Sequence, residues 1–81
     1  MSSGAVGDPR GVRWGAGYVG AFTVAGTTAY AAPPIRVHVD GVWIDATMTF
    51  YPGMALVFAS RTEASSAAAT EALRYCGTAA W

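Results

Sequence analysis

Between residues 35 and 51 the chain reads IRVHVDGVWIDATMTFY, with apolar and polar positions alternating on either side of Asp40-Gly41. A period of two marks strands whose side chains fall alternately on two faces. Asp-Gly between two such runs predicts a two-residue type I′ turn, since both central positions need positive φ. That turn fixes the register. Val39 faces Val42, His38 faces Trp43, Val37 faces Ile44, Arg36 faces Asp45 and Ile35 faces Ala46. Ile35, Val37, Val39, Val42, Ile44, Ala46, Met48 and Phe50 then share one face, which is expected to be core. Arg36, His38, Trp43, Asp45, Thr47, Thr49 and Tyr51 share the other. Opposite charges meet at Arg36 and Asp45, so the charge pattern agrees with the register.

The same reading extends in both directions. Upstream, Phe22-Thr23-Val24 and Ala29-Tyr30-Ala31 read as strands around a turn at Gly26-Thr27-Thr28. Downstream, Tyr51-Pro52-Gly53-Met54 predicts a type II turn, followed by a short strand Ala55-Leu56-Val57-Phe58. At Ser60 the pattern changes. Ser60-Arg61-Thr62-Glu63 is a capping box, with the Ser60 hydroxyl and the Glu63 carboxylate each expected to satisfy a backbone N–H. It predicts a helix over 61–76, with Gly77 as its stop. Ala64, Ala68, Ala69, Ala72, Leu73 and Cys76 share one helical face, and Glu63, Ser66, Thr70 and Arg74 the other. The fold class is β-rich α+β: a small antiparallel sheet, sandwich or barrel with one C-terminal helix. Residues 12–77 are expected to form a single domain, after a flexible N-terminal arm (1–11) and before a short tail (78–81).

Between Trp14 and Ile35 there is no charge at all, which opens two other readings of that stretch. It is long enough to cross a bilayer, which takes ~20 residues. Only Val19, Phe22 and Val24 are strongly apolar in its first two thirds, however, and Pro33-Pro34 breaks it, which argues against a membrane span. Arg10 and Arg13 ahead of Ala29-Tyr30-Ala31 also resemble a signal segment, giving a secreted precursor cleaved after Ala31. Asp8 and the many glycines oppose that reading. Strands remain, covered on one face by their own core and on the other by a neighbouring subunit.

Residues 15–20, GAGYVG, fit the dinucleotide pattern G-x-G-x-x-G. Over these six residues the chain resembles the cofactor loop of the nucleotide-sugar dehydrogenases, and the resemblance implies nicotinamide binding. Such a site needs the glycines at a strand-to-helix turn, so that helix amides meet the pyrophosphate. Here only Val12-Arg13-Trp14 reads as the strand before, and the helix after would contain Gly26-Thr27-Thr28. Asp40, spaced as the ribose-binding acid, belongs to the Asp-Gly turn. The glycines are instead expected to allow twist, bulges or close backbone approach within a strand.

Composition decides between the function classes. The 81 residues are 53% hydrophobic and 12% charged, against a usual charged share of about 25%. A domain this small cannot hide so much apolar area alone, which points to protein–protein contacts. Net charge is zero and the arginines stand singly at 10, 13, 36, 61 and 74, so no basic stripe exists for nucleic acid. Cys76 is single, which excludes an internal disulfide. His38, Asp45 and Cys76 are not spaced as a metal set, and no nucleophile accompanies His38 and Asp45. No catalytic, cofactor or metal residue is assigned.

The expectation is therefore a non-enzymatic structural subunit, a homo-oligomer or part of a larger assembly. Small virion proteins, such as capsid decoration or tail accessory proteins, are of this kind. The aromatic residues Trp43, Tyr51, Phe22, Tyr30 and Trp81, with His38, are the candidate interface residues. The alternative is a monomeric domain binding a ligand or peptide on the Trp43/Tyr51 face.

Overall fold

A computed structural model describes residues 6–79, and side chains as far as Tyr75. Four strands, Val6–Trp14 (β1), Gly17–Val24 (β2), Thr27–Val39 (β3) and Val42–Thr49 (β4), precede a single turn of 3-10 helix at Pro52–Met54 and an α-helix, Arg61–Ala79 (α1). The sheet is an antiparallel meander in the order β1-β2-β3-β4. This is the β-rich α+β class with one C-terminal helix.

The β3–β4 hairpin has the register its turn dictates, from Val39↔Val42 through Arg36↔Asp45 to Ile35↔Ala46. Asp40 and Gly41 have φ of 50° and 80°, the left-handed pair that a type I′ turn requires. The β2–β3 turn lies slightly earlier than expected, at Ala25-Gly26, with Val24 opposite Thr27. Thr27 and Thr28 are strand residues instead, as β-branched side chains favour.

Three segments differ from the sequence pattern. First, β1 begins at Val6, so residues 6–11, expected in a free arm, are strand. A bulge between Gly7 and Arg10 accommodates Pro9, which has no N–H for a ladder. The Arg10 guanidinium holds the bulge by donating to the Asp8 carbonyl at 2.7 Å and its carboxylate at 3.1 Å. Second, Tyr51–Met54 is not a type II turn, because Gly53 does not have the positive φ that type needs. Successive bonds from Met54 N–H to Tyr51 O and from Ala55 N–H to Pro52 O wind it as 3-10 helix. Third, the expected strand 55–58 is reduced to one bridge, in which Tyr18 and Phe58 exchange backbone hydrogen bonds of 2.9 and 2.7 Å.

At the helix start, Glu63 N–H donates to Ser60 Oγ and the Ser60 hydroxyl donates to the Glu63 carboxylate, both at 3.1 Å. The carboxylate thus orients the capping hydroxyl and makes no bond back to the backbone. The helix continues through Gly77 to Ala79. Its buried row is Ala64, Ala68 and Ala72. Leu73, expected inside, is 75% exposed, and Tyr75 packs instead, its ring stacked on Phe22 at 6.2 Å. The Cys76 side chain and Trp81 lie outside the described residues.

Backbone contact sets that rotation. Gly11 and Gly20 are paired across β1 and β2. A Cβ on Gly11 would meet Arg61 O at 2.5 Å, and one on Gly20 would strike Ala64 O. Two facing glycines thus form a bare patch on which the alanine row of α1 rests. This is what GAGYVG provides: its first residues turn between β1 and β2, and Gly20 lets the helix approach. Phe22, Ala29, Ala68 and Ala72 make the core beneath, with Val6, Val24, Met48 and Tyr75 around it.

Candidate functional site

The described part of α1 lies on β1 and β2 and hardly touches β3. β3 also leaves β2 early. Its pairing with β2 stops at Ala21↔Tyr30, and the β3–β4 register shifts between Ala31 and Ile35, across Pro33-Pro34. Two prolines remove two ladder donors, so β3 cannot keep regular pairing through them. From Ile35 onward, among the described residues, only β4 pairs with it. Residues 35–46 form a two-stranded arm about 14 Å long at ~3.4 Å per residue.

The aliphatic face expected to be core is therefore uncovered. Ile35 is 51% exposed, Val42 58% and Ile44 46%, and Val39 is similar. Val37, Ala46 and Met48 are only half-buried, and Phe50 is exposed beyond the end of β4. The alternation placed these residues on one face correctly, but among the described residues no element lies over its outer half. At the base of the arm, Ala32, Pro33, Ile35, Met48, Thr49 and Met54 line an apolar cleft.

The opposite face of the arm is aromatic and charged. His38 and Trp43 are in ring contact at 4.9 Å. The Arg36 guanidinium lies 5.8 Å from the Trp43 ring and 3.9 Å from the Asp45 carboxylate. Both partners of that ion pair are well exposed, so it steadies the arm only weakly.

The remaining candidate interface residues do not gather there. Tyr51 is exposed but lies beyond the far end of β4, roughly 27 Å along an extended chain from Trp43. Tyr30 is half-buried in β3, opposite Ala21 and Thr49. Phe22 is fully buried and belongs to the core, so it is not an interface residue. Trp81 lies outside the described residues. The sequence reading missed the uncovered Ile35, Val39, Val42 and Ile44, although Pro33-Pro34 signals where the arm leaves the sheet.

One contact ties β4 to the helix. Thr47 N–H donates to the Tyr75 hydroxyl at 3.1 Å, and the Thr47 hydroxyl donates to the Glu71 carboxylate. Glu71 is in turn 3.4 Å from Arg74. Replacing Tyr75 with phenylalanine removes the acceptor from a partly buried N–H, at a cost of about 1 kcal/mol. Amide hydrogen exchange at Thr47 is expected to accelerate in that variant, and unchanged protection would show that another group holds this N–H.

GAGYVG itself spans the β1–β2 turn and enters β2, with no helix N-terminus after it. Among the described residues no three of His, Cys, Asp or Glu are grouped to hold a metal, and no helix is long and apolar enough to cross a membrane. Comparison with protein-family models, curated proteins and solved structures finds no match to this chain.

Proposed function

We propose that this chain is a non-enzymatic structural subunit that works through protein–protein contacts, as the decoration or tail accessory proteins of virions do. The observation that carries this reading is the uncovered aliphatic face of the β3–β4 arm. Full burial of a Val or Ile side chain is worth about 1.5–3 kcal/mol. Ile35, Val39, Val42 and Ile44 each leave about half of that unrealised in the single chain. Contiguous apolar surface of this sort marks an interaction site.

The competing readings fit the arrangement less well. A ligand-binding domain built on Trp43, His38 and Tyr51 would need Tyr51 beside the other two. Cleavage after Ala31 would remove Val19, Ala21, Phe22 and Ala29, and with them both strands beneath the helix.

Sedimentation velocity on the full chain over a wide concentration range tests the proposal. The expected result is a mass that rises with concentration above that of one chain. A single-chain mass throughout, with saturable binding of a sugar or peptide at Trp43, would replace it with the binding-domain reading.

A further inference from the structure

We propose that the first partner of this subunit is a second copy of the same chain, paired antiparallel along the outer edge of β4. This rests on the assembly reading above and names the surface and register it uses. In a two-residue hairpin the residues flanking the turn, Val39 and Val42, form a hydrogen-bonded pair. Ile44 and Ala46 therefore also direct their N–H and C=O groups toward β3. Trp43, Asp45 and Thr47 direct theirs outward. The bond from Thr47 N–H to Tyr75, on a helix that is not part of the sheet, agrees with this direction. The outward groups of Trp43 and Asp45 have no partner among the described residues.

The two edges of the sheet differ. β1 has the Gly7–Arg10 bulge and Pro9 in its first half and the charged Arg13 in its second, features that discourage strand addition. Val42–Ala46 has no proline, lysine or bulge, and its one charge, Asp45, is matched by Arg36 of the same chain. An open edge of this kind is a template for another strand. Pairing of this edge with its own copy is isologous and gives a closed two-fold dimer.

Charge and geometry also select the register. The Tyr75 contact closes the edge at Thr47, so pairing is confined to Val42–Ala46. A two-fold axis at Asp45 would set two carboxylates directly opposite each other, which is unfavourable. An axis at Trp43 would set Asp45 against Gly41, which lies in the turn. An axis at Ile44 pairs Trp43 of each copy with Asp45 of the other. Every outward N–H and C=O of these residues is then satisfied, and the two Ile44 side chains meet on the aliphatic face.

So short a ladder buries far less than the ~800 Å² per partner of a stable interface. The isolated dimer is therefore weak, and it presents two aliphatic arm faces side by side to whatever the assembly adds next.

The test uses the full chain in sedimentation equilibrium, with Asp45→Pro as the main variant. Proline there removes an outward donor, leaves the bonds to β3 intact and keeps Trp43 in place. The dimer dissociation constant is expected to rise at least tenfold, with little change in the melting of the dilute chain. An independent measurement places cysteine at the axis, in a Cys76→Ser background. In a non-hydrogen-bonded pair the two Ile44 positions would be ~4.5 Å apart between Cα atoms, within disulfide reach. Ile44→Cys is expected to cross-link on mild oxidation, while Val42→Cys, which faces Ala46, does not. A wild-type chain that associates while Asp45→Pro associates equally well and Ile44→Cys stays uncrosslinked would remove this pairing and leave the assembly reading intact. A wild-type chain that stays single at every concentration would remove the assembly reading itself.

Discussion

Gly20→Val is expected to lift the helix off the sheet. A side chain at this position meets backbone and not a flexible neighbour: Ala64 O lies directly in the way, with Ala68 N at 3.0 Å and Ala68 Cβ at 3.2 Å. Neither strand nor helix can yield locally, because both are held by their own hydrogen-bond ladders. Overpacking usually costs about 1–3 kcal/mol. The upper end applies here, since moving α1 outward also uncovers Ala64, Ala68 and Ala72. For a domain of this size each kcal/mol lowers the melting temperature by roughly 4–8 °C. A fall of more than about 10 °C is therefore expected in thermal unfolding followed by circular dichroism. Gly7→Ala is the control, because a Cβ there meets nothing within 4 Å. Equal melting temperatures for the two variants would mean that the helix does not rest on Gly20.

The sequence made some of this legible, and the reason it missed the rest is physical. Asp40-Gly41 between alternating runs leaves one register, so every β3–β4 pair from Val39↔Val42 to Ile35↔Ala46 could be read directly. Ser60 and Glu63 marked the helix start for the same reason, since few arrangements satisfy the first N–H groups. Alternation says which residues share a face but not what covers that face. Ile35, Val39, Val42 and Ile44 therefore read as core, although the described part of α1 lies on β1 and β2. The helix face was ambiguous because alanine occurs on several sides of α1. The choice of Tyr75 over Leu73 comes from where Gly11 and Gly20 allow close approach. At the candidate site, the contact between His38 and Trp43 follows from the hairpin register. Phe22 could not be placed in the same way, because an aromatic residue in an uncharged segment suits either a core or an interface.

Phe22→Ala separates those two roles and is expected to be the most damaging single change in the chain. The ring is fully buried against Ala29, Ala68 and Ala72, with Tyr75 stacked on it at an interplanar angle of 13°. Three of these neighbours are alanines, which have no rotamers with which to fill the space left behind. The cavity therefore stays largely open, and truncations of this kind cost about 3–5 kcal/mol. A core in a domain this small supplies about the same amount in total, ~3–5 kcal/mol. The expected outcome is loss of a cooperative thermal transition and of amide protection across β2 and α1. Trp43→Ala, in the exposed arm, is expected to melt close to the wild type. If Phe22→Ala instead melts cooperatively near the wild-type temperature, the aromatic cluster of Phe22 and Tyr75 is not what holds the helix to the sheet. The contrast also governs how assembly can be tested. A chain without its core fails to associate for want of a folded surface, so only changes in the arm, such as Asp45→Pro, can report on which edge a partner uses.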